Sequence, residues 1–389
     1  MSNYFKNVKS AFKMKHYINY LVIAAVFIVF TALYYAGALN RSAPSLFNQI
    51  GYSVILAVSL NIVVGFLGEL SLGHAGFMCV GAYLGTYIAN ILLAAGAPTL
   101  LALVIAMLVG GTVSALFGFL VGLPALRLKG DYLAIVTLAF GEIIRNICRN
   151  LPFFGGAQGL VSGIYSANLS DKNSLPLFIP TFVCLFVMLI FVQNLIRSKH
   201  GRAITAIRDN EIAAKSMGIN VTYYKLFVFV VAAFFAGVAG VIYGSSVSPV
   251  EYGTFSYNYS IEILVMVVLG GMGSINGSII AATLITLINF YLKAYLTGDM
   301  AAIKTLIYAL ILIVMVVYKN APALKSFREK YNFKNIVSDL FQKKKKVSDI
   351  TDDAGRWDVI PTKIDMDEVL STDLVVNESV VAPDKEAKK

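Results

Sequence analysis

Apolar positions in this chain come in unbroken runs, not in the three-and-four or alternating spacing of half-buried helices and strands. Such runs recur near 17–38, 46–66, 74–95, 99–123, 176–196, 223–246, 277–297 and 303–318. Most are close to the roughly 20 residues that an α-helix needs to cross a ~30 Å hydrocarbon layer. Two more, 131–149 with Glu142 and Arg145 and 259–271 with Glu262, are shorter or tinged with charge. The pattern therefore predicts about ten transmembrane helices, or eight if those two only partly enter the membrane. Transmembrane strands would give alternating segments of ~10 residues, and the sequence has none. The predicted fold class is an all-α polytopic membrane protein.

Composition agrees. Hydrophobic residues make up 58% of the 389 and charged residues 14%, against about 25% charged in soluble domains. The net charge of +10 is unevenly spread: residues 1–346 hold 27 Lys/Arg against 11 Asp/Glu, residues 347–389 hold 5 against 11. The basic surplus reads as membrane topology and not as nucleic-acid binding. Ten spans with both termini cytoplasmic place Lys6, Lys9, Lys13, Lys15, Arg127, Lys129, the 197–215 segment and Lys343 to Lys346 inside. Few basic residues, chiefly Arg41, Arg149 and Lys172, are left outside. The run from Tyr17 to Ala38 exceeds a signal-peptide core of about 7–15 residues and reads as the first span. Cys79, Cys148 and Cys184 have no metal-type spacing and read as packing residues.

Four regions follow from this pattern. Residues 1–16 form a basic cytoplasmic N-terminus, and 17–318 the membrane domain with a cytoplasmic loop at 197–222. Residues 319–346 are basic and amphipathic, with Phe327, Tyr331, Phe333, Ile336 and Leu340 spaced for a helix lying on membrane lipid. The acidic segment 347–389 has too little apolar content for a core and is expected to be disordered.

The longest polar interruption between spans is Gly201 to Gly218, GRAITAIRDNEIAAKSMG, with Arg202, Arg208 and Glu211. Asn210 is placed to N-cap a short helix whose first turn carries Glu211 at the positive end of the dipole. Gly218 is placed to end it in the left-handed conformation. Ala213 and Ala214 leave a thin helix that fits a groove on another protein; an ordinary interfacial helix fits the same residues.

Chemistry within the chain is sparse. It has no phosphate-binding Gly-rich loop of the P-loop type, and His16, His74 and His200 are isolated, so it reads as a non-enzyme without a cofactor or metal of its own. Polar groups do gather where spans meet. Asn61, Glu69, Ser71 and His74 lie beside Gly65, Gly68, Gly73 and Gly76, and Glu142 and Glu262 sit inside apolar runs. Polar groups at membrane depth are costly and face a cavity or one another, while glycines permit close helix approach or breaks. A translocation pathway and simple helix packing both fit. Glu142 and Arg145, three apart, read first as an internal ion pair.

Four stretches together resemble the branched-chain amino acid permeases of ABC importers, in the LivM branch rather than its LivH partner. EIAAKSMG at 211–218 resembles the EAA-type motif, with Ile212 at its usual alanine. GELSLGHAGF at 68–77, LPALRLKGDY at 123–132 with TLAFGE at 137–142, and VLGGMGS at 268–274 follow in register across about 45–320. The resemblance implies a multi-pass protein of the bacterial inner membrane. It implies two cytoplasmic ATPase subunits that use ATP and Mg²⁺, a LivH-like second permease and an extracytoplasmic binding protein. Arg202, Arg208, Asn210, Glu211, Ala213, Ala214 and Gly218 would form the ATPase-coupling segment. Gly68, Gly73, Gly76, Gly155, Gly156, Gly270, Gly271 and Gly273 would serve as backbone or gate positions along the pathway. Permeases for urea and short-chain amides are similar. An ATPase-independent secondary transporter or channel, or a structural scaffold, would not need the docking segment.

Overall fold

The computed structural model describes residues 27–34, 36, 43–128, 130–170, 177–295, 310 and 313. All belong to the compact unit Met1–Val317; a second unit, Tyr318–Lys389, lies outside them. The expectations for 1–16, 319–346 and 347–389, and most of the spans 17–38 and 303–318, fall outside the described residues too.

Eleven α-helices are described beyond the helical residues 27–34: α1 (Ala43–Asn61), α2 (His74–Ala94), α3 (Thr99–Ala125), α4 (Asp131–Asn150), α5 (Gly163–Ser170), α6 (Phe178–Arg197), α7 (Lys199–Asp209), α8 (Glu211–Ser216), α9 (Val221–Ser246), α10 (Tyr257–Gly270) and α11 (Ile275–Tyr295). The only strand-like pairing among the described residues is an isolated bridge between Leu160 and Val250. The spans predicted between 46 and 297 start and stop within about three residues of these helices, α1 being counted with its continuation to Leu67, because runs this apolar leave little freedom of placement. Six are long and apolar enough to cross a membrane: α1 with its extension, α2, α3, α6, α9 and α11. Helix α10 is apolar but has 14 residues. Helix α4 buries Leu133, Thr137, Gly141 and Ile144 and leaves Tyr132, Ile135, Ile143 and Ile147 as an exposed apolar face.

Helix α9 is the centre of the bundle and packs against α1, α2 and α3. Where lipid replaces water, helix association depends on close van der Waals fit, so small residues line the seams. A Cβ on Gly81 of α2 would fall on the backbone of Gly237 of α9. Ser114 of α3 closes the same seam, donating to the Phe77 carbonyl at 2.9 Å.

Helix α1 does not end as an α-helix. It passes into one π-helical turn, Ile62–Leu67, which Gly68 terminates at φ +83° with its N–H on the Val63 carbonyl. The chain then turns through 68–73 into α2. This turn, the 270–275 turn and the α7–α8 segment meet at one end of the bundle.

Candidate functional site

Helices α7 and α8 are set by their caps. Ser198 accepts from the N–H groups of His200 and Gly201, and Asn210 accepts from that of Ala213 at 3.0 Å. At the other end of α8, Ile219 N–H reaches the Ala214 carbonyl and Gly218 N–H the Lys215 carbonyl, both at 3.1 Å. With Gly218 at φ +81°, this is a complete Schellman closure. The sequence reading of Asn210 and Gly218 matches this geometry. Ala214 is buried, whereas Ala213, Ile212 (76% exposed) and Met217 (83% exposed) face outward. A six-residue helix is too short to hold itself in water, so its caps and its anchor hold it.

The anchor is Lys225, one turn into α9. Its ammonium lies 2.5 Å from Glu69 and 3.2 Å from Glu211, with its side chain 4% exposed. One buried cation thus ties α8 to the turn between α1 and α2. Arg208 of α7 adds a second tie, donating to the Gly65 carbonyl at 3.1 Å while pairing with Asp209. Gly65 sits in the last turn of its helix, where carbonyls lack intrahelical donors, and Arg208 supplies one. Arg202 is exposed on α7.

Asn61, at the start of the π-turn, clasps the 270–275 turn. Its Oδ1 accepts from Gly273 N–H at 2.9 Å and its Nδ2 donates to the Ser274 carbonyl at 3.1 Å. Gly271 (φ +97°) and Gly273 (φ +79°) shape that turn. Gly270 packs against the backbone of Gly277. Lys225 therefore joins the GELSLGHAGF and EIAAKSMG stretches, and Asn61, in the helix just ahead of the first, brings VLGGMGS to the same end of the bundle.

The rest of the 68–77 stretch is held within the bundle. His74 Nε2 lies 2.7 Å from Ser59 Oγ, whose own proton goes to the Leu56 carbonyl. Leu72 N–H donates to Thr137, and Ala75 N–H to Ser260, each at 3.0 Å. Ser71 is 1% exposed, and its hydroxyl has no hydrogen-bond partner among the described residues. Gly73 packs on Thr137, and a Cβ on Gly76 would lie 2.6 Å from Gly141.

At the opposite end of the bundle lies a cavity of about 620 Å³ between α1, α9, α10 and α11. Glu262 lines it and accepts a hydrogen bond from Asn289. The remaining candidates are placed elsewhere. Glu142 pairs with Arg145 at 2.6 Å and accepts from Tyr257 N–H at 2.9 Å, which pins α4 to the start of α10. Gly155 and Gly156, both at positive φ, shape the turns after α4 and do not line the cavity.

Sequence reasoning missed Lys225, helix α7, the π-turn and Asn289. Lys225 had a readable signal, since a lone lysine inside an apolar run marks an interaction site. The π-turn had none, because IVVGFL reads as ordinary helix.

A close-packed bundle with six described helices of membrane-spanning length, one end tied through the buried Lys225 and a polar cavity at the other, is the architecture of a multi-pass membrane protein. The family described as branched-chain amino acid transport system / permease component matches residues 42–316, and the chain belongs to it. It is 37% identical to the high-affinity branched-chain amino acid transport system permease protein LivM of Salmonella typhimurium, over 60% of this chain and 59% of that protein. LivM of Escherichia coli is 32% identical, over 72% and 70%. LivH of Escherichia coli is 26% identical, over 68% and 88%. The match thus spans somewhat less than two thirds of the Salmonella relative. No solved structure matches the chain.

Proposed function

We propose that this chain is the membrane-spanning permease subunit of an ABC importer that carries branched-chain amino acids into the cell. The observation that carries the reading is the Glu211–Lys225–Glu69 chain of contacts. It joins a short, outward-facing helix to the turn between two membrane spans at 2.5 and 3.2 Å. Two cytoplasmic ATPase subunits would seat on the exposed Ile212 and Met217 side of α8 and hydrolyse ATP with Mg²⁺, while the permease contributes no chemistry. A LivH-like permease would complete the membrane channel, and an extracytoplasmic binding protein would deliver the solute.

In this reading the loop carrying α7 and α8 lies in the cytoplasm of a bacterial inner-membrane protein, with both termini inside and about ten spans. ATPase closure would move α8; Lys225 and Arg208 would pass that displacement to the π-turn and, through Asn61, to the 270–275 turn. The bundle would then exchange outward for inward access, a two-state element biased by differential binding of the motor.

Reconstitution with its ATPases, second permease and binding protein tests the assignment. ATP-dependent uptake of leucine, isoleucine or valine is expected. An intact assembly that moves none of them, or that moves urea or acetamide instead, would overturn it.

A further inference from the structure

A second, smaller recess of about 280 Å³ opens at the α8 end of the bundle. The last turn of α6 lines it with Gln193 and Arg197, and the start of α11 with Ser274, Ile275 and Asn276. Both helices are of membrane-spanning length, so the recess lies where two spans end, at the depth of lipid headgroups.

Its chemistry suits an anion. Arg197 is exposed, and among the described residues no carboxylate pairs with it and none lines the recess. Helix α11 turns its positive end to the same space. There Ser274 takes the Gly277 N–H on its hydroxyl and the Ser278 N–H on its carbonyl. The Ile275 N–H, in the first turn, is beyond reach of any intrahelical carbonyl. Gln193 gives an independent sign of a ligand. It is 6% exposed, and its Oε1 has no hydrogen-bond partner among the described residues. A buried amide without a partner is costly, and turning it over presents its two N–H donors to the recess instead.

We infer that this recess holds the phosphate group of a membrane phospholipid. Arg197 pairs with the phosphate oxygens through its planar fork, and the Ile275 N–H and the Gln193 amide donate to them. Free phosphate offers the same oxygens, but the surroundings suit a lipid. Ile190, three residues before Gln193, and Ile280, four after Asn276, are 39% and 66% exposed. Each stands one turn further into the membrane on its helix, where acyl chains run. Basic recesses between spans are general sites for lipid headgroups. Gly273 and Ser274, which Asn61 grips, line the same recess, so a bound lipid braces that clasp.

The test uses the full chain, delipidated in detergent, and native mass spectrometry. The probes are phosphatidylglycerol, diacylglycerol with the same acyl chains, and inorganic phosphate. One phosphatidylglycerol per chain is expected to bind at least about ten-fold more tightly than diacylglycerol, the scale of one charge-assisted hydrogen bond. It should raise the thermal midpoint by mass action, and inorganic phosphate should not displace it. R197Q should weaken this binding about ten-fold, and R197K, which keeps the charge, should lose less. Q193L keeps the bulk and should also weaken binding, without lowering the midpoint of the lipid-free chain.

Equal affinity for the two lipids, or binding that neither R197Q nor Q193L alters, would overturn the inference. Displacement by inorganic phosphate would assign the recess to a soluble anion and overturn the lipid as its occupant. A lower midpoint of both lipid-free variants would overturn it too, by showing that Gln193 and Arg197 serve the fold.

Discussion

Lys225 and Glu69 stand 2.5 Å apart with side chains 4% and 14% exposed, and Glu211 completes the arrangement from the loop side. Breaking a buried ion pair by removing one partner strands the other charge, at a cost of about 3–5 kcal/mol. K225M should therefore lower the thermal midpoint of the purified chain and reduce uptake by more than ten-fold. K225M combined with E69Q should be more stable than K225M alone, because the stranded carboxylate is gone. Additive losses in this cycle, read by thermal size-exclusion, would mean that the two residues do not interact.

Gly218 separates conformation from bulk. A Cβ there would meet nothing within 4 Å, but φ is +81°, a region that costs an ordinary L-residue roughly 1–2 kcal/mol. G218N should be tolerated, since asparagine visits this region most readily. G218V should cut uptake at least ten-fold with membrane insertion unchanged. Equal uptake for the two variants would remove the cap from the coupling argument.

Ile212 and Met217 are exposed enough to be substituted without touching the bundle. Exposed changes of this kind move stability by about 0.5 kcal/mol or less. I212D with M217D should leave the melting temperature unchanged and abolish co-purification of the ATPase subunits. A complex that survives the double change would place the motor elsewhere.

Topology and the acidic segment are checked separately. A reporter fused after Lys319 should read as cytoplasmic, and a periplasmic signal would refute the parity of about ten spans. Truncation at Val347 should leave uptake intact.

How far the sequence foretells this arrangement differs by element. Helices α2, α3 and α6 are legible because a long run free of charge has one stable placement in hydrocarbon, and α9 because its one lysine, Lys225, lies near its start. Asn210 and Gly218 are legible because capping is local: the donor or the dihedral lies within a few residues of the group it serves. The contacts that make a site are not. Asn61 reads the backbone of Gly273 and Ser274, more than 200 positions away, and nothing in either local sequence names the other. Arg208 reads as part of a charged loop surface, yet it serves the Gly65 carbonyl. Glu142 and Arg145 read as a pair from their spacing and are one, but the Tyr257 amide that Glu142 holds is a long-range partner.

The π-turn at Ile62–Leu67 has a consequence for rotational phase. Each residue of an α-helix advances the chain by about 100°, and a π-turn accommodates one residue more than regular winding would. The wider turn absorbs that residue, so the winding on either side of it keeps its phase, whereas the same extra residue in regular helix would swing Asn61 by about 100° away from Gly273. Asn61 thus holds Gly273 from the start of the turn while Glu69, beyond the helix end, holds Lys225.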